Sequence, residues 1–108
     1  MIWHPALEKR WSTLPEYQQV LMICNELNRA SNLRSDPKEY KNALERALEL
    51  MDFTIDDPRT RPRMHEFLRA RSVVAGLYVD PETQETKSLQ RALIQLYPSA
   101  WKYMMEKP

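Results

Sequence analysis

The densest chemistry in this sequence is a run of cations: Arg59, Arg61, Arg63, His65 and Arg69. Arginine presents a planar fork of donors that matches phosphate and carboxylate oxygens. Pro62 reads as the opening of a helix, because proline is tolerated in a first turn whose N–H groups are unpaired anyway. Cations at a helix start are disfavoured by the macrodipole, by about 0.3–1 kcal/mol each. Something anionic must therefore compensate. Asp56 and Asp57, immediately upstream, offer an intramolecular answer. An RNA or DNA backbone held by the arginines and free helix N–H groups is the other.

Other reactive residue types are sparse. His65-Glu66 begins like a zinc-protease motif, but Arg69 stands where the second histidine is needed. His4 and His65 are the two histidines and Cys24 the single cysteine, so neither a histidine-based nor a multi-cysteine metal site has ligands enough. The one glycine excludes a glycine-rich phosphate loop. We expect no catalytic residue, metal or cofactor. Arg59 and His65, with five residues between them and Thr60 following the arginine, resemble the loose arginine-to-histidine spacing of HEPN ribonucleases. That family is small, all-helical and often dimeric, and the resemblance implies RNA cleavage. Pro62 inside the motif argues against a continuous helix there.

Two polar residues break apolar stripes. Arg71 falls among Phe67, Leu68, Val74 and Ala75, and Asn28 follows Cys24 by a turn. Either both mark where the stripes meet solvent, with the arginine stem covering apolar surface, or they form a buried contact. In the second case Arg71 reaches Asn28 or an acid such as Asp52, fixing helix register. A ligand anion on Arg71 is a third reading. The tryptophans Trp3, Trp11 and Trp101 lie near the ends, with Tyr97, Tyr103, Met104 and Met105 beside the last. They either close the bundle by packing the ends together or form a contact surface, since Trp, Tyr and Met are enriched at interfaces. We name Trp3, Trp11, Trp101 and Tyr103 as partner contacts.

The elements that position these residues are helices. Eight prolines parse the chain of 108 residues. Pro5 opens a short segment through about Trp11. Thr13-Leu14-Pro15-Glu16 reads as a capping box ahead of Tyr17, Val20, Leu21, Cys24 and Leu27, and that helix fades near Ala30 to Asn32. Asp36-Pro37-Lys38-Glu39 is a second box, opening the stripe Tyr40, Leu44, Ala47, Leu48 and Met51. Ala43 to Leu50 looks like the second helix of a tetratricopeptide repeat, but a shift of 34 places finds no second copy. Phe53 to Arg61 is a connection. Pro62 starts a third long helix, with Met64, Phe67, Leu68, Val74, Ala75 and Tyr78 inward and Gly76 near its stop. Val79 to Lys87 reads as a polar loop with a turn at Asp80-Pro81. Leu89, Ala92, Leu93 and Leu96 form a further stripe, and a short helix follows from Ser99 to Glu106. Nothing alternates with period two.

The expectation is one all-α domain over residues 1–108, a bundle of four to six helices, three of them long. An apolar share of 43% and a charged share of 29% fit a globular chain. The absence of a signal-like start or a long apolar run makes the expected location cytoplasmic, with no membrane. Net charge is +1, yet residues 36–57 carry seven carboxylates against three Lys/Arg, and residues 58–79 carry five arginines against one glutamate. Adjacent helices with such flanks are expected to pair intramolecularly. The functional expectation is a non-catalytic interaction module, its partner a second copy or another protein. Nucleic-acid or phosphate binding through Arg59, Arg61, Arg63, His65 and Arg69 is the alternative.

Overall fold

A computed structural model describes residues 5–79, 86–97, 100 and 102. The chain is an all-α bundle: α1 (Pro5–Trp11), α2 (Glu16–Asn32), α3 (Pro37–Ile55), a 3-10 helix (Pro58–Arg63), α4 (Met64–Val79) and α5 (Thr86–Leu96). Trp3, Trp101, Tyr103, the turn at Asp80-Pro81 and nearly all of the final helix lie outside the described residues.

α3 is the helix whose start was read most directly. Asp36 caps it, its Oδ1 accepting from the Glu39 N–H at 3.3 Å, and Pro37 occupies the first turn. The corresponding box before α2 does not form. Pro15 is the capping residue and has no side chain to offer. The Thr13 hydroxyl instead donates to the Arg10 carbonyl at 2.6 Å, sealing the end of α1. Between α3 and α4 the expected open connection is helical: α3 runs on to Ile55, and Pro58–Arg63 is a 3-10 turn with Pro62 inside it. The 3-10 ladder uses fewer N–H groups per turn, so two prolines fit where an α-helix would break.

α2 packs most extensively on α3 and also on α5, while α3 packs on α4; α4 and α5 meet only sparsely. One cluster of buried side chains draws on every α-helix, with Val20, Ile23 and Leu27 from α2, Leu44, Ala47 and Met51 from α3, and Leu93 from α5. Cys24 fills the α2–α5 seam, its thiol donating weakly to the Gln90 carbonyl at 3.8 Å. Burial pushes that thiol up to about 12, so it stays protonated.

The inward face of α4 differs from expectation. Phe67, Ala70, Val74 and Leu77 are buried, whereas Leu68 is 45% exposed. Apolar residues surround most of this helix, so the sequence pattern could not select one face. Gly76 is not a stop. It has an ordinary helical backbone, sits inside α4, and a Cβ built there meets nothing within 4 Å.

Gly76→Ala is therefore expected to stabilise the protein by about 0.5–1 kcal/mol, read as a raised midpoint in urea unfolding. A loss of stability would show that this position is crowded. Trp11 is 1% exposed, and its indole N–H donates to the Thr54 hydroxyl at 3.0 Å. Trp11→Ala should cost about 3–5 kcal/mol in the same assay.

Candidate functional site

The arginine-rich segment turns inward. Asp57 caps the 3-10 helix through Oδ1, which accepts from the Arg59 N–H at 2.9 Å. Its other oxygen, Oδ2, accepts from Arg59 Nη2 at 2.7 Å and from the Gln19 amide at 3.2 Å. Arg59 then reaches across to the carbonyls of Leu14 and Ser12, at 2.8 and 3.2 Å. Gln19 completes the knot by donating to the Trp11 carbonyl at 2.7 Å. The Asp57 side chain is only 4% exposed, so the charge is tolerable there because donors surround it. The Arg59 side chain, and after it the backbone and Gln19 donors, hold the carboxyl down at about 2, against the opposing effect of burial. Asp56, the other expected counter-ion, is exposed and makes no ion pair among the described residues.

Arg63 is also committed. Its Nε donates to the Leu96 carbonyl at 2.7 Å, its guanidinium lies 4.6 Å from the Tyr97 ring centroid, and Glu16 faces it at 3.5 Å. This ties the end of α5 to the start of α4. Arg71 pairs with Asp52 on α3 through two bonds, at 2.6 and 3.2 Å. Of the partners weighed from sequence, the acid is the one found. Asn28 is exposed on α2 and interrupts no stripe, because Leu27 carries the buried face. Arg71 likewise flanks the α4 core face rather than interrupting it.

Trp11, expected at a partner surface, is a core residue closed over by Thr54 and by the Phe53 ring at 6.1 Å. What remains outward of the cation cluster is Arg61, His65 and Arg69. No hydrogen bond or ion pair among the described residues joins His65 to Arg59, whose fork is occupied by Asp57 and the two carbonyls.

Two hollows lie among the described residues. One, about 290 Å³, lies among α1, α2 and α3 and is rimmed by Glu26, Arg46 and Glu49. The other, about 250 Å³, opens between α4 and α5. Its lining is apolar, from Val73 on α4 and Leu89, Ala92 and Leu96 on α5, with Glu66 and Arg69 on its α4 edge. These two charged residues stand three positions apart, yet they form no ion pair with each other or with any described residue. The α5 stripe was visible in sequence. Which part of it would line an open hollow was not, because that depends on how α4 and α5 pack.

Among the described residues no helix is long and apolar enough to cross a membrane, and no group of three or more His, Cys, Asp and Glu side chains is placed to hold a metal ion. No protein-family model matches the chain, and no curated protein or solved structure is significantly similar to it.

The depressed Asp57 carboxyl has a sign that can be measured. A group lowered in the folded state contributes stability above its unfolded value of 3.8, and loses it as pH falls toward about 2. The contribution is about 2 kcal/mol. Urea midpoints of the native chain should fall between pH 4 and 2 more steeply than those of Asp57→Asn. That variant should already be about 3 kcal/mol less stable at pH 7. Parallel pH profiles would show that Asp57 is not the group titrating.

Proposed function

We propose that this protein is a non-catalytic interaction module whose docking surface is the groove between α4 and α5. The observation carrying this reading is an open apolar channel with Glu66 and Arg69, both unengaged, along one edge. A core that simply lacked a side chain would be closed. This one is open, long in the direction of two helices, and edged by charge. The fitting occupant is an amphipathic helix with an apolar stripe and charges of both signs beside it, the helix-in-groove mode of recognition. Apolar area supplies the affinity, and the edge charges set orientation and exclude wrong partners. The lone, protonated Cys24 fits a reducing compartment such as the cytoplasm.

A second reading rests on Arg61, His65 and Arg69, three outward groups spaced four residues apart along the 3-10 helix and α4. They would meet a phosphate backbone, with affinity falling steeply as salt is raised. Arg59 and Arg63, now tied to Asp57 and Leu96, no longer contribute to it.

A photo-crosslinking residue at position 92, in cells producing the protein, separates the two. Ala92 is exposed and lines the groove, while Asn28 is exposed and does not. Crosslinking to protein from position 92 and not from position 28 is the expected result. Equal yields from both sites, or adducts with nucleic acid that vanish in high salt, would overturn the groove reading.

A further inference from the structure

Resting on the groove reading, we infer that the helix that fills this groove comes from a second copy of the chain, in a two-fold symmetric dimer whose seam is closed by reciprocal Glu66–Arg69 ion pairs. Residues three apart on a helix are neighbours and often pair. Arg29 and Glu26 do so on α2, at 3.7 Å. Glu66 and Arg69 do not, although both are exposed and border the same apolar channel. Elsewhere along α4 the charged edge is satisfied internally, by Asp52 for Arg71. At the groove edge an unspent acid and an unspent base stand side by side against an apolar channel.

A two-fold interface brings one patch against itself, so each contact between residue i and residue j occurs twice. A patch bearing one sign of charge repels its own copy. A patch bearing one of each sign, side by side, becomes self-complementary on rotation: Arg69 of one protomer meets Glu66 of its partner, and the reverse. A partner that shares no sequence with this chain would have to supply the same pairing independently.

The test is sedimentation or light scattering across a concentration series, on the full chain and four variants: Ala92→Arg, Arg69→Glu, Glu66→Arg, and the Glu66→Arg/Arg69→Glu double reversal. All these positions are exposed, so circular dichroism and melting should be unchanged. The native chain is expected to dimerise. Each single reversal should weaken the dimer about a hundredfold by setting like charges together twice. The double reversal should restore it, and Ala92→Arg should abolish it by filling the channel.

The outcomes separate the two proposals. A dimer broken by Ala92→Arg but indifferent to the charge reversals would overturn the reciprocal pairing and leave the groove as the seam. A monomer at every concentration would overturn the second copy, while the position-92 crosslinks still decide the groove. A dimer untouched by all four variants would sink both.

Discussion

One buried carboxylate, that of Asp57, organises this protein. Asp57 sits at the junction of α3 and the 3-10 helix with almost no exposure, and an uncompensated charge there would cost several kcal/mol. Its compensation reaches across the molecule. Arg59 neutralises it and grips the segment between α1 and α2, and Gln19 links it to the carbonyl of Trp11. Around that centre the Trp11 indole donates to Thr54, whose own carbonyl accepts from Thr60 at 2.6 Å. Remove the charge and its counter-ion, and the 3-10 helix loses its bonds to Gln19 on α2 and to the Ser12 and Leu14 carbonyls between α1 and α2.

Most of the helical layout was legible, and the reasons are local. Asp36-Pro37 announced α3, and proline at 5 marked α1, because capping and ring geometry act within a few residues. Where the sequence misled, the deciding interaction was distant. Thr13 caps nothing at α2, since the proline between it and the helix takes the cap position and Arg10 offers an acceptor. Leu68 looked as apolar as Leu77, but only packing against α3 and α5 could choose between them. The basic run is the clearest case. It offered both an internal counter-ion in Asp56 or Asp57 and a surface for phosphate, and in the structure Arg59 and Arg63 act as internal ties. Asp57, which lay two positions from Arg59 in plain view, was the visible clue.

The groove between α4 and α5 was readable only in part. Leu89, Ala92, Leu93 and Leu96 formed an evident stripe, but a stripe says which face is apolar and not what covers it. In the structure Leu89 and Leu93 are buried, while Ala92 is exposed and Leu96 half-buried. The stripe thus divides between core and channel.

The polar centre also constrains the order in which the chain can complete itself during synthesis. Its bonds join residues 43 apart, Trp11 to Thr54, and 38 apart, Gln19 to Asp57. Ribosomes extend chains by roughly 5–20 residues per second, and domains consolidate as their partners emerge. α1 and α2 therefore leave the exit tunnel several seconds before the carboxylate that anchors them, with the apolar face that holds Ile23 and Leu27 still uncovered. Over that interval the nascent helices are the kind of exposed surface that ribosome-associated chaperones bind. The polar centre itself closes only once Asp57 and Arg59 have emerged.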